Sequence, residues 1–372
     1  MSSGTNLTAL VAWGGFALAF IFGVVASKTN FCTMGAISDV VNMGNWGRLR
    51  MWLLAIAVAI VGANALHYMG LVDLAKSIYL RPNLPWLSLI VGGVSFGVGM
   101  TLASGCGNKT LIRIGGGSLR SLVVFAFLGI SAYMTLKGLF GQWRASYLDP
   151  VSLNLASHGM SGQDLPTLLA SLAGIDRRAA LLASAGASAA ALLLFVFKDA
   201  RFRKNSSHIF GGVALGLLIV AGWYVSGHMG YGENPDTLET VFFGTNTKSA
   251  ESLSFVAPIA YSLELLMLWT DKSLVVTFGV ASAAGVILGS FAYAIATKSF
   301  RWEGFVSASD TGNHIIGGIL MGFGGITSMG CTIGQGMTGV STLALGSFLA
   351  LLSIAAGAVA TMKYLYWRET RD

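Results

Sequence analysis

Long uncharged apolar runs alternate with short charged interruptions along the whole chain. No Asp, Glu, Lys or Arg occurs from Thr5 to Ser27, Met51 to Val72, Pro82 to Asn108, Ser121 to Leu136, Ala179 to Phe197, Ile209 to Gly232, Ser273 to Thr297, or Thr311 to Met362. About 20 apolar residues cross a bilayer as a helix and roughly 10 as a tilted strand, so these lengths predict helices. The period-2 alternation of a membrane barrel is absent. The pattern predicts an all-α polytopic membrane protein with eight to ten spans. The last run is too long for one span and has no charged turn. It predicts two helices joined through the glycine-rich GCTIGQGMTG, a break that hydrocarbon tolerates only where protein or a polar cavity covers the freed amides.

Composition agrees: 54% of the 372 residues are hydrophobic, 10% are charged, and the mean hydropathy is +0.69. The N-terminus MSSGTNLTAL lacks a basic n-region and a cleavage site, so the first run is expected to remain a span. The net charge of +7 is scattered between the runs and forms no basic stripe, which argues for a positive-inside bias and against nucleic acid. FKDARFRK at Phe197 to Lys204, Arg48 with Arg50, and Lys298 with Arg301 mark cytoplasmic loops. Glu233, Asp236, Glu239 and Glu251 against Lys248 mark an external one, which places the N-terminus outside. The hydrophilic insert 137–178 contains SGQDLPTLLASLAG, which reads as a capped short helix on the outer surface.

An internal repeat surrounds the cysteines. GGVSFGVGMTLASGC (Gly92 to Cys106) and GGILMGFGGITSMGC (Gly317 to Cys331) align without a gap at an offset of 225 residues. Gly23 stands nine residues before Cys32, as Gly97 does before Cys106 and Gly322 before Cys331. The chain therefore divides into a first repeat half (residues 1–136, with Cys32 and Cys106), the insert (137–178) and a second repeat half (179–372, with Cys331). The three cysteines are the only ones, and no C-x-x-C or Cys/His spacing accompanies them, so free thiols are expected rather than disulfides or a metal site. Duplication with interrupted helices is how many transporters build a midplane site. A small apolar cysteine beside a packing glycine would produce some of the same pattern.

SKTNFCTMG, LASGCGNKT and TSMGCTIGQG resemble the YeeE/YedE family of bacterial thiosulfate uptake proteins, and the repeat carries the resemblance over nearly the whole chain. It implies a bacterial inner-membrane protein of about nine spanning helices plus short broken or re-entrant ones, shaped like an hourglass. It further implies thiosulfate passing along constriction cysteines, here Cys32, Cys106 and Cys331, and a small TusA-like sulfur-carrier protein on the cytoplasmic side. Relatives that handle selenium or other sulfur species exist, so the substrate stays open at this level.

The residue types suit such an ion. Moving a dianion unaccompanied into a low-dielectric site costs tens of kcal/mol by Born reasoning, so its water must be replaced. Half-helix N-termini aim free N–H groups at anions, and Gly105, Gly107, Gly330, Gly334 and Gly336 let that backbone approach. A neutral thiol is a weak donor with a polarizable sulfur, enough to relay the ion without trapping it. Gln335, Asn108, Thr33, Thr110 and Thr332 add neutral donors, while Lys28 and Lys109 can attract anions at the mouths or simply flank spans. Glu264 inside an apolar run raises proton coupling, or a polar interior contact. His67, His228 and His314 read as interfacial or hydrogen-bonded residues. Membrane lipid is an expected neighbour; no cofactor, metal or catalytic residue is expected. Two other readings remain open, a Cu(I) transporter using Met34, Met100, Met329 and Met337, and a thiol enzyme of the sulfurtransferase kind.

Overall fold

The computed structural model describes residues 2–234, 237–305 and 307–370; Asp236 of the expected external loop lies outside the described residues. Fifteen α-helices are found among them: α1 Ser2–Lys28, α2 Thr33–Met43, α3 Gly47–Tyr68, α4 Trp86–Leu102, α5 Gly107–Gly115, α6 Leu119–Lys137, α7 Leu139–Trp143, α8 Leu165–Ala173, α9 Arg177–Phe197, α10 Ala200–Arg203, α11 Ser206–Tyr224, α12 Ala257–Met267, α13 Phe278–Ala296, α14 Ala308–Thr327 and α15 Leu345–Glu369. Two small antiparallel ribbons, Asn83–Leu84 with Leu153–Asn154 and Tyr231–Glu233 with Thr240–Phe242, and short 3-10 and π segments accompany them among the described residues. Eight helical stretches are long and apolar enough to cross a bilayer. α14 has 20 residues and lies between α4 and α6, so it adds a ninth of membrane length. The chain is an all-α polytopic membrane protein.

Glycines set the packing, because without a Cβ two backbones can close on each other. A Cβ on Gly92 would lie 2.5 Å from the Ser328 amide, and one on Gly99 2.7 Å from the Gly317 carbonyl, so α4 and α14 run antiparallel in contact. Gly97 faces the Ile354 carbonyl of α15, and its repeat mate Gly322 faces the Leu128 carbonyl of α6. Thus α4 lies parallel to α15 and α14 parallel to α6. The same arrangement occurs a second time. Gly15, Gly23, Gly285 and Gly289 bring α1 and α13 together in parallel, while Gly212, Gly216 and Gly62 do so for α3 and α11. The unit α1–α2–α3 is therefore related to α11–α12–α13 by inversion, as α4–α5–α6 is to α14, the turn after it, and α15.

Basic loops gather at one end. Arg50 pairs with Asp199, Arg48 with Asp39, and Arg120 reaches Glu303 at 3.5 Å and Asp310 at 3.6 Å. The insert covers the other end, where Leu165 N–H donates to the Leu343 carbonyl and Leu345 N–H to that of Gln163. Its expected short helix is α8, capped by Asp164, whose carboxylate accepts from Thr167 N–H at 3.1 Å, and closed by Gly174 at φ +64°.

Candidate functional site at the waist

Each cysteine ends one helix and begins the next element by the same local construction. Two residues earlier the chain turns through the left-handed region, at Asn30 (φ +50°), Ser104 (+55°) and Met329 (+59°). The cysteine carbonyl then accepts the first helical bond, from Ala36 at 2.9 Å, Thr110 at 2.9 Å and Gln335 at 2.7 Å. Cys32 and Cys106 cap α2 and α5. Cys331 precedes a wide π turn over Gly334–Gly339, so the predicted break in the last run is real and is fully buried.

The sulfur atoms look inward on the half-helix amides. Gly35 N–H donates to Cys32 Sγ at 3.3 Å, and Gly334 N–H to Cys331 Sγ at 3.4 Å. A sulfur that accepts there leaves its own S–H free to point away from the helix. The Cys32 and Cys106 thiols face one another, and the Thr332 hydroxyl lies against Cys106. Cys331 precedes Thr332 in the chain and is near Tyr79. All three are free and buried.

Buried polar atoms around the thiols lack partners. Both amide atoms of Asn108, the hydroxyls of Thr33, Thr332 and Thr327, and Gln335 Oε1 have none, although Asn108 and Thr332 are fully shielded from solvent. An unmade buried hydrogen bond costs about 1–3 kcal/mol each, so Asn108, Thr33 and Thr332 hold unused polar capacity beside the thiols.

The remaining expected residues divide. Gly105 and Gly107 flank Cys106: Gly107 has room for a Cβ, the nearest atom being 3.5 Å away, whereas a Cβ on Gly105 would crowd the Lys109 side chain at 3.3 Å. At Gly334 a Cβ would lie 2.5 Å from Ser254 Oγ, and at Gly330 3.0 Å from the Gln335 amide, so there close packing is the reason for glycine. Gln335 Nε2 donates to the Ser328 carbonyl at 2.6 Å and ties the turn together. Lys109 stands on the basic side near Cys32, its ammonium 3.0 Å from Asn30 Oδ1. Lys28 instead lies over the Phe210 ring at 5.5 Å. Thr110 bonds back to the Cys106 carbonyl, and Glu264 pairs with Lys137 at 2.5 Å and Tyr133 at 3.3 Å. His67, His228 and His314 each meet a backbone carbonyl at 2.7–3.1 Å.

Inversion exposes a fourth position that the sequence concealed. α12 has 11 residues like α2, follows Phe255-Val256 as α2 follows Phe31-Cys32, and begins with Ala260 N–H donating to the Val256 carbonyl at 3.2 Å. Val256 is the counterpart of Cys32. It is fully buried, between Gly107 and Gly325. Its only sequence signal is the dipeptide FV in place of FC, after a long irregular stretch that hides the alignment.

A sulphur transport family pattern matches residues 28–360, nine-tenths of the chain and all three cysteine motifs. The chain belongs to the sulphur transport family. It is similar to the thiosulfate transporter TsuA of Spirochaeta thermophila, 26% identical over 96% of this chain and 99% of that protein. It is also similar to the thiosulfate transporter TsuA of Escherichia coli, 26% identical over 94% of each. Membership agrees with the resemblance read from SKTNFCTMG, LASGCGNKT and TSMGCTIGQG.

Proposed function

We propose that this sulphur transport family member takes up thiosulfate across a bacterial inner membrane, through the waist where the two inverted pairs meet. The observation that carries the reading is the convergence of Cys32, Cys106 and Cys331, each at the start of a half-helix, on unpartnered Asn108, Thr33 and Thr332. The names of both relatives support the substrate.

A descending ion meets Cys331 first, then Thr332, then the Cys106 and Cys32 thiols, then Lys109 on the basic side. At each station an S–H donates to the ion while free N–H groups of the half-helix replace its water. The Asn108 amide offers two further N–H donors to the sulfonate oxygens. Thiol hydrogen bonds are weak, so no station holds the ion deeply, and conduction needs release as much as binding. Nothing in the pathway calls for a covalent step, which favours a transporter over a thiol enzyme. Residues 1–136 and 179–372 act as the two repeat halves and 137–178 as the outer cover. A small cytoplasmic carrier of the TusA type would receive the ion at the basic end, with membrane lipid around the belt.

The test is growth of a sulfur auxotroph on thiosulfate alone, with uptake of radiolabelled thiosulfate measured in parallel. Cys106→Ala and Cys331→Ala are expected to stop both while the protein still reaches the membrane. Normal uptake by all three single cysteine variants overturns the pathway.

A further inference from the structure

A cavity of about 210 Å³ opens on the side away from the basic loops and reaches down to Gly330, the residue before Cys331. At about 30 Å³ per water it accommodates a small anion with part of its hydration. Two arginines stand at its rim. Arg81 is exposed, and half-buried Arg144 is held by Asp149 at 3.2 Å. Below them are Tyr79 and Tyr261, and Glu251 is the one carboxylate in the lining.

Glu251 lies in the irregular segment after the second ribbon, outside the spanning helices. Its backbone is pinned to the end of α11: Glu251 N–H donates to Ser226 Oγ at 3.0 Å, and the Ser226 hydroxyl donates to the Glu251 carbonyl. Its carboxylate accepts one hydrogen bond, from Thr247 Oγ1 at 3.0 Å, and among the described residues it has no ion-pair partner. The titratable groups near it are Tyr261 from α12 and Tyr79, which is also near Cys331, and Arg81 and Arg144 line the same cavity. Glu264 differs, since Lys137 already neutralises it beyond Tyr261.

We propose that this cavity is an anion-capture vestibule with a proton gate: Arg81 and Arg144 collect the thiosulfate dianion, and Glu251 must be protonated before the ion descends past Tyr79 to Cys331. An ionised carboxylate beside that route repels a dianion, and in a cavity walled by protein the repulsion is weakly screened. A protonated carboxyl becomes a donor and adds to the attraction. Burial pushes the Glu251 carboxyl up to about 7, so the gate titrates where cells live. This inference rests on the transport reading above and adds the place and condition of entrance.

The experiment is thiosulfate uptake by proteoliposomes of the full chain at external pH 6, 7 and 8. Thiosulfate stays doubly charged over that range. For one group titrating near 7 the protonated fraction, and with it uptake, is expected to fall about tenfold from pH 6 to 8. Glu251→Gln, neutral and of the same shape, is expected to carry at the pH 6 rate throughout. Thr247→Val removes the bond that favours the charged form, so its midpoint is expected to move to higher pH. Arg81→Ala is expected to raise the half-saturating thiosulfate concentration at every pH without moving the midpoint. Uptake by the unmodified protein that does not change between pH 6 and 8 overturns the gate and leaves the pathway standing. The same decline in Glu251→Gln, or a folded Glu251→Gln inactive at every pH, also overturns it. Absence of uptake at any pH overturns the transport reading and the gate with it.

Discussion

The two inverted pairs share a backbone plan and differ in chemistry. In the pair formed by α4–α6 with α14–α15, both half-helix starts carry a cysteine, Cys106 and Cys331. In the pair formed by α1–α3 with α11–α13, only one does: Cys32 stands on the basic side, and its mate is Val256. Two of the thiols, Cys32 and Cys106, therefore face one another, while Cys331 and Val256 are each next in the chain to a residue that lines the cavity holding Glu251. Glycine spacing is kept where two backbones touch, because that contact is what both pairs need in order to pack. The thiols do not follow the symmetry of the frame: three of the four equivalent positions carry one, and Val256 takes the fourth.

The largest expected effect is on the shared frame, through substitution of its glycines. A Cβ at Gly97 would lie 2.2 Å from the Ile354 carbonyl oxygen, and at Gly322 2.4 Å from that of Leu128. Backbone cannot rotate away as a side chain can, so Gly97→Val and Gly322→Val are each expected to cost at least about 1–3 kcal/mol. The measure is thermal unfolding of the detergent-solubilised protein, with both variants losing most of their folded yield. Gly107→Ala, whose Cβ has 3.5 Å of clearance, is expected to fold normally. Equal stability of Gly97→Val and Gly107→Ala would break the claim that close backbone contact specifies the inverted frame.

The difference between the pairs is sharpened by moving a thiol. Val256 and Cys331 are each next in the chain to a residue that lines the cavity, Ala257 and Gly330, and Val256 packs against Gly325 and Gly107. Adding Val256→Cys to a Cys331→Ala background is expected to restore measurable growth on thiosulfate, below the unmodified level. Val256→Cys alone is expected to leave growth unchanged. Failure of the double variant to grow, with normal membrane levels, would mean that position along the route matters more than the supply of a donor.

Much of this was legible in the chain. Charge-free runs of helical length gave the class. The gapless match of GGVSFGVGMTLASGC to GGILMGFGGITSMGC gave the duplicated motif, and the uncharged stretch around Cys331 gave the buried break. Repeat orientation was hidden because parallel and inverted copies share one sequence pattern; the contacts of Gly92, Gly97, Gly99 and Gly322 decide it. Val256 was hidden because a valine carries no chemical signal and its unit is stretched by the segment between α11 and α12. Glu251 looked like one acid of an external loop, since nothing in its local sequence shows that Ser226 and Thr247 fold that loop back into the protein. Glu264, prominent in an apolar run, proved to be half of an ion pair with Lys137.

The two carboxylates give a further contrast. Glu264 is 7% exposed and Lys137 is 54% exposed, so solvent screens the pair and most of a buried bridge's value is absent. Glu264→Gln is expected to lower stability by about 1 kcal/mol, read as a shift of a few degrees in thermal unfolding, and to leave the pH dependence of uptake as it was. A Glu264→Gln variant that loses the pH dependence would move the titrating group from the vestibule to α12 and reverse the comparison.

The smallest effect is expected at Lys28. Sequence position alone, four residues before Cys32, suggested a cation at a mouth, and Lys109 shares that credential. Their surroundings separate them. Lys109 stands near Cys32 and Cys106, and it is anchored by Asn30 of the turn that positions Cys32. Lys28 rests on Phe210 of α11, a contact worth roughly 0.5–1 kcal/mol at an exposed site. Lys28→Gln is therefore expected to change uptake less than twofold, because only remote steering is lost and salt screens it within about 10 Å. Lys109→Gln removes the cation an ion meets on leaving the two thiols, and its larger effect should persist at high salt. Comparing both variants at low and high ionic strength tests the distinction: equal losses that vanish together in salt would make Lys109 a general attractor like Lys28, with no station of its own on the route.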